Sequence, residues 1–322
     1  MAKVSFRELN KLLPGLQRNV SLKNYTTFRI GGPAQYFFIA KKKENIIKAI
    51  KTARKLKIPF FILGEGSNLL VSDKGFKGLI IQFRNSKFEI RNSSLYAEAG
   101  VLVSVLVKKT IQQGWGGLEW AAGLPGTLGG AIRGNAGAFG REMKDVIFEV
   151  EFLDKKLNLK KLSKKRCNFS YRSSIFKKNN LIILSATLKL KKGNKRIIQS
   201  IAKSHIKYRK ERHPLSYPSA GSIFKNVDFK KIPKKIKNKF SQVIKKDPFP
   251  VVPAAYLIFE AGLKGQRVGQ AQISKKQPNY IVNLGKARAK DIIKLINLVK
   301  KRVKNKFGIT LEEEVQMIPP RF

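Results

Sequence analysis

Apolar positions along the chain follow two rhythms, one suited to strands and one to helices. Short apolar or alternating runs at 58–63, 79–83, 95–99, 146–153 and 181–190 predict strands, and amphipathic spacing at 44–56 and 289–307 predicts helices with lysine-rich outer faces. A helix is also expected over 101–112. Residues 1–20 predict a leader helix broken at Pro14-Gly15, and 26–39 a strand interrupted at Gly31-Gly32-Pro33. A basic helix around 200–212 precedes a break marked by Pro214 and Pro218. After it come a helix at 253–261, a strand at 279–283, the 289–307 helix and a last strand at 309–318. This order is not a regular βαβ array. It predicts an α+β fold with a leader at 1–20, a first domain at 21–195 and a second at 196–322.

Two glycine-rich segments interrupt the pattern. The run GLPGTLGGAIRGNAGAFG, from Gly123 to Gly140, is too apolar for a flexible linker and too glycine-dense for an ordinary core element. Without Cβ atoms, successive amide N–H groups can converge on an anion or a flat ring. Gly64-Glu65-Gly66-Ser67-Asn68 follows the 58–63 strand in the manner of a phosphate loop. Two such loops suit the pyrophosphate of a dinucleotide, although each alone reads equally as a tight turn.

Composition narrows the setting. The 322 residues, 43% of them hydrophobic, suffice for two ordinary domains. No apolar run approaches the ~18 residues of a membrane span, and the N-terminus lacks a signal-type segment, so a cytoplasmic protein without membrane insertion is expected. One cysteine, Cys167, and two histidines, His205 and His213, suggest neither an internal disulfide nor a metal cluster. Redox chemistry would therefore need a bound cofactor. The net charge of +47 is spread along the chain and falls on the polar faces of amphipathic helices, which favours a solvated surface over a specific nucleic-acid partner. Self-repulsion at that charge predicts salt-dependent stability.

Three polar constellations carry candidate chemistry. In Tyr171-Arg172-Ser173-Ser174-Ile175-Phe176-Lys177, the planar fork of Arg172 suits a carboxylate, against the alternative of a surface arginine. In PSAGSIFKN, from Pro218 to Asn226, Ser222 stands at a turn where it could donate a proton or simply satisfy turn amides. Lacking a G-x-S-x-G elbow, it is a poor hydrolase nucleophile. In Leu311-Glu312-Glu313-Glu314-Val315, alternation puts Glu312 and Glu314 on one face, where an acid could meet a pocket or pair with lysines.

Together these segments resemble the UDP-N-acetylenolpyruvoylglucosamine reductase family over nearly the whole chain. NYTTFRIGG at 24–32, the GEGSN loop, the 123–140 run, YRSSIFK, PSAGSIFKN, GLKGQRVGQAQISKKQPNYIVN and LEEEV occur in the family's order and approximate spacing. The resemblance implies a vanillyl-alcohol-oxidase/PCMH-type FAD-binding domain followed by a smaller α+β substrate-binding domain, acting as a monomer. It also implies non-covalent FAD, NADPH as hydride donor, and reduction of UDP-N-acetylglucosamine enolpyruvate to UDP-N-acetylmuramate in peptidoglycan biosynthesis. Cofactor contacts are implied at Gly64, Glu65, Gly66, Ser67, Asn68, Gly123, Pro125, Gly126, Thr127, Gly129, Gly130, Asn135 and Gly137. Arg172 and Glu314 match catalytic positions that stabilise charge on the substrate carboxylate, and Ser222 matches the donor that protonates C2. Substrate contacts are implied at Tyr171, Asn226, Gln277 and Asn279, with Arg209 or Arg212 toward the diphosphate.

Lys276-Gln277-Pro278-Asn279 departs from the family's Lys-His-Ala-Asn, and Val315-Gln316 from its Val-Arg or Val-Lys. The short segment between Tyr208 and Ser219 resembles the branch without a tyrosine-bearing loop insertion. The competing reading is another FAD oxidoreductase, of alcohol- or sugar-oxidase type, which would not be expected to keep Arg172, Ser222 and Glu314 in these contexts. A basic nucleic-acid-binding module rests on charge alone.

Overall fold

The computed structural model describes residues 5–85, 87–246 and 249–320. The chain forms two compact units: the residues up to Val20 with Ala34–Glu65 and Phe76–Lys207, and Ser21–Pro33 with Gly66–Gly75 and the chain from Tyr208 onward. This differs from the expected single boundary. Two excursions, 21–33 and 66–75, belong with the C-terminal part because they carry Phe28, Ile30 and Leu70 into its hydrophobic core.

In the first unit a four-stranded sheet has the spatial order Gln17–Ser21, Pro33–Ala40, Phe76–Phe83, Phe60–Leu63. Pro33–Ala40 and Phe60–Leu63 both run parallel to Phe76–Phe83. Every residue from Gly78 to Phe83 is buried, the condition expected of a central strand covered on both faces. The helix Lys43–Lys55 buries Ile46, Ala49, Ile50 and Ala53, one apolar stripe at helical spacing, and turns its lysines outward. An antiparallel five-stranded sheet follows, ordered Leu159–Ser163, Ile147–Leu153, Ile182–Lys189, Ser94–Glu98, Phe88–Arg91.

Two N-terminal expectations are corrected. The leader is an integral part of the first unit: Ser5 and Glu8 cap a helix at Phe6–Leu12, and Leu9 and Leu13 are fully buried in the core. The strand expected over 26–39 begins only at Pro33. Gly32 is occupied elsewhere, donating its N–H to the Ser72 carbonyl at 2.8 Å, where a Cβ would lie 2.2 Å from the Asp73 carbonyl oxygen.

The second unit is organised by the helix Ala289–Phe307, whose buried stripe includes Ile292, Leu295, Ile296, Val299 and Val303. Gly308, at φ +68, ends it in the left-handed conformation that glycine adopts without penalty. Its start is held by a residue remote in sequence: the Asp73 carboxylate accepts the N–H groups of Ala289 and Lys290 at 2.9 and 3.2 Å. A three-stranded sheet joins Arg267–Val268, Ala271–Ile273 and Ile281–Asn283. The strand expected over 309–318 contracts to Gln316–Ile318, which pairs in parallel with Leu69–Val71. Upstream of it, among the described residues, the chain makes a single bridge, Phe224 to Glu313.

Asp73→Ala should cost roughly 1–2 kcal/mol, the usual loss for an N-terminal helix cap. Chemical denaturation of the purified protein checks this, with Asp73→Asn expected to recover part of the loss. An unchanged midpoint would mean that solvent satisfies the start of the helix equally well.

Candidate active site

The 64–68 loop leaves the strand Phe60–Leu63, and the chain passes from the first unit to the second within it. Gly64 is half-buried, and a Cβ there would stand 2.7 Å from Thr127 Oγ1, so the two glycine segments meet in the first unit. Glu65 is exposed. Gly66 is buried at φ +65, with the Tyr25 carbonyl oxygen 2.1 Å from where a Cβ would be. Only glycine permits that approach. Ser67 and Asn68 follow in the second unit. Asn68 donates from Nδ2 to the Glu314 carbonyl at 3.0 Å and accepts the Gln316 N–H at its own carbonyl, also at 3.0 Å.

In the 123–140 segment, Gly123 and Pro125 are exposed and Gly126 has φ +115. Thr127 caps the helix Leu128–Arg133, its hydroxyl accepting the Gly130 N–H at 3.4 Å. The next two glycines differ in kind. A Cβ at Gly129 would lie 2.8 Å from Ala99 Cβ, so packing within the chain already excludes a side chain. A Cβ at exposed Gly130 would meet only Thr127 Oγ1, at 3.5 Å. Glycine inside a helix costs about 1 kcal/mol relative to alanine. Nothing in the chain's own packing at Gly130 offsets that cost, and the room it leaves faces outward.

Asn135 is fully buried at φ +42. Its amide donates to the Ser170 carbonyl at 3.1 Å and its side-chain oxygen accepts the Lys144 N–H at 3.0 Å, so it braces the glycine segment against the 170–173 turn. Reciprocal 3.0 Å backbone bonds between Ser170 and Ser173 close that turn. At its bend sits Arg172, with φ +54, a conformation uncommon outside glycine and associated with functional sites. Its Nη2 donates to the Gly137 carbonyl at 3.0 Å, and its guanidinium lies 5.0 Å from the centroid of the Tyr171 ring. A Cβ on Gly137 would stand 3.3 Å from Arg172 Nη1. The arginine is thus seated on the end of the glycine run.

In the second unit, Ser222 and Glu314 are half-buried and come together through the backbone. Glu314 donates its N–H to the carbonyl of Ile223, next to Ser222, at 2.8 Å, and Ser222 forms a bridge with Tyr280. Asn279 sets this arrangement. Its side chain accepts the Phe224 N–H at 3.0 Å and donates to the Phe224 carbonyl at 2.8 Å, while its own carbonyl accepts the Ile223 N–H at 2.8 Å. Asn226 accepts the Ala254 N–H at 3.1 Å, and Gln277 accepts the Asn279 N–H at 3.4 Å. Of the neighbouring acids, exposed Glu312 pairs with Lys225 and Glu313 pairs with Lys300 at 2.7 Å.

The two candidate diphosphate arginines separate clearly. Arg212 is exposed in the last turn of the helix Lys195–Arg212, whereas Arg209 is buried, and burial lowers its pKa against the opposing pull of the Tyr280 and Tyr208 phenols. Tyr280 was absent from the expected site residues. Its hydroxyl lies 3.2 Å from His213 Nδ1. Burial pushes the phenol up to about 12, with the Glu314 carboxylate adding to the rise and Arg209 opposing it. Burial and the cations of Arg209, Lys276 and Lys245 push His213 down to about 4. No spacing in the sequence announces this cluster. Cys167 is buried and pushed up to about 11 by burial, so it is not a reactive thiolate near neutrality.

Residues 34–162 match the FAD binding domain family, and residues 213–318 match the family described as UDP-N-acetylenolpyruvoylglucosamine reductase, C-terminal domain. A UDP-N-acetylenolpyruvoylglucosamine reductase of Clostridium novyi is 38% identical over 304 residues, covering 94% of this chain and 92% of the relative. One from Caldicellulosiruptor saccharolyticus is 41% identical over 315 residues, covering 97% and 94%. The crystal structure of the Thermus caldophilus UDP-N-acetylenolpyruvylglucosamine reductase aligns with a TM-score of 0.74 at 32% identity, over 94% of this chain and 99% of that one.

The open space at Gly130 fits a flavin dinucleotide held by this segment and yields a contrast between adjacent residues. Gly130→Leu keeps helix propensity while filling the space, so the apoprotein should melt within a few degrees of the parent and bind FAD at least ~10-fold more weakly. Gly129→Ala should instead destabilise the apoprotein, by roughly 1–3 kcal/mol, through overlap with Ala99. Thermal melts and FAD titration followed by flavin fluorescence separate the two. Parent-like FAD affinity in Gly130→Leu would remove this segment from the cofactor site.

Proposed function

The chain belongs to the UDP-N-acetylenolpyruvoylglucosamine reductase family, and we propose that Arg172, Ser222 and Glu314 are the groups with which it performs that family's reaction. The enzyme reduces UDP-N-acetylglucosamine enolpyruvate to UDP-N-acetylmuramate, a step of peptidoglycan synthesis, with NADPH as reductant. FAD, bound without a covalent link, supplies the two-electron carrier between NADPH and substrate.

Each proposed residue has a task suited to its surroundings. Reduction of the enolpyruvyl double bond places negative charge on the substrate carboxylate and leaves C2 to be protonated. Arg172, fixed by the Gly137 carbonyl and the Tyr171 ring, brings its guanidinium fork to that carboxylate, and Glu314 acts where the charge develops by donating a hydrogen bond from its carboxyl group. Ser222 delivers the proton to C2. Asn135 and Asn279 position rather than react, since each uses its amide on neighbouring backbone. The buried Arg209 is the better placed of the two arginines to offer a fixed cation to the diphosphate. A cytoplasmic location suits its nucleotide substrates.

The observation that carries this reading is the bond from Asn68, in a glycine loop assigned to the cofactor, to the backbone of Glu314, whose own N–H is tied to the residue after Ser222. Asn68 of the cofactor loop and the backbone beside the proposed carboxyl group and proton donor thereby share one hydrogen-bonded array in the second unit. In an alcohol or sugar oxidase this grouping would have no assigned task.

Ser222 acts only on the substrate, which separates the half-reactions. In Ser222→Ala, NADPH should bleach the flavin at close to the parent rate, while reoxidation by the enolpyruvyl substrate slows by at least ~100-fold, the scale of a lost general acid. Anaerobic stopped-flow absorbance measures both phases. Parent-rate reoxidation would transfer the proton donation to another group.

A further inference from the structure

Arg209, His213 and Tyr280 form a polar cluster in the second unit that the reaction steps above do not use. Arg209 and His213 lie one turn apart at the end of the helix Lys195–Arg212, where the His213 N–H donates to the Arg209 carbonyl at 2.9 Å. Tyr280 arrives from a remote segment that bridges Ser222. Its hydroxyl contacts His213 Nδ1 at 3.2 Å, and the two ring centroids are 5.1 Å apart. The helix end is tied to the same segment a second time, by the bond from Lys276 Nζ to the Lys210 carbonyl at 2.6 Å.

The charge state of the cluster follows from its surroundings. Arg209, Lys276 and Lys245 all face His213, so its imidazole stays neutral through the physiological range. Tyr280 is half-buried near Arg209 and Glu314, and its phenol stays protonated. With both partners neutral, the contact is a single hydrogen bond. A phenol O–H that donates to Nδ1 places the imidazole hydrogen on Nε2.

We propose that Tyr280 and His213 form a brace that fixes the helix end carrying Arg209 against the segment that bridges Ser222, and so positions Arg209 for the substrate's diphosphate, making both of them positioning residues for substrate affinity. This rests on the assignment of Arg209 to the diphosphate. A carboxylate in the place of the phenol would cancel the charge on which diphosphate recognition relies. A neutral phenol secures the helix end through His213 and leaves that charge available.

Tyr280→Phe removes one hydrogen bond and little volume. The KM for the UDP-linked substrate should rise about 3- to 10-fold, the equivalent of one neutral hydrogen bond, with kcat within about 2-fold of the parent. Flavin content and the rate of flavin reduction by NADPH should be unchanged. His213→Leu should reproduce the KM effect, and His213→Gln, which keeps a side-chain acceptor, should restore much of it. UDP binding followed by calorimetry should weaken in parallel, whereas uridine, which lacks the diphosphate, should bind the parent and Tyr280→Phe equally. A parent-like KM in both folded Tyr280→Phe and His213→Leu, or a fall in kcat at constant KM, would overturn the brace. Arg209→Gln tests the underlying assignment separately: if its KM matches the parent, the diphosphate is held elsewhere and the reading of Arg209 itself fails.

Discussion

The buried amide of Asn279 takes the place of a strand partner, and the geometry of the segment around Ser222 depends on it. Among the described residues the chain around Ser222 forms no extended ladder, yet the N–H and carbonyl of Phe224 are both satisfied by one side chain, and the Ile223 N–H by the Asn279 backbone. Buried backbone groups left unpaired would cost about 1–3 kcal/mol each, so the clamp secures a segment that would otherwise be free to shift. With Phe224 fixed, the Ile223 carbonyl can receive the Glu314 N–H, and the Glu314 carbonyl can receive Asn68. A short irregular stretch is thereby given the precision of a sheet.

Scarce carboxylates are placed with similar economy. Against 67 lysines and arginines the chain has 20 acidic residues. Several have specific structural tasks: Asp73 and Asp291 at the start of the long helix, Glu8 and Asp145 in capping boxes, and Glu151 and Glu313 in ion pairs. The excess of cations is largely exposed lysine. Arg172 and Arg209 are different, because the first is held by the Gly137 carbonyl and the second is buried. Where a fixed planar cation is needed, a lysine tail would lose both the fork and the rigidity.

Much of this was legible from the sequence, and the misses share a cause. The helix Ala289–Phe307 could be read to its limits because one apolar stripe and Gly308 define it locally. The last strand was read too long because alternation around Leu311 and Val315 reflects burial in the core, whereas a ladder also needs a partner, which only Gln316–Ile318 has. The leader helix looked separable because nothing local reveals where Leu9 and Leu13 pack. Resemblance could name Arg172, Ser222 and Glu314, but neither the left-handed backbone of Arg172 nor the union of Tyr280 with His213 follows from composition or spacing. The glycine runs were legible as places of close approach. Separating Gly129, excluded by Ala99, from Gly130, open on its outer side, required the packing.

The central claim is that the chain is a flavin enzyme whose site accepts electrons from NADPH and passes them to an enolpyruvyl ether. Anaerobic titration of the purified protein in visible light tests it most directly. The account predicts a yellow protein from which acid releases one FAD per chain, bleached by NADPH and returned to yellow by stoichiometric UDP-N-acetylglucosamine enolpyruvate, with UDP-N-acetylmuramate as product. A protein that takes up no FAD, or whose reduced flavin is reoxidised by oxygen but not by that substrate, would contradict it.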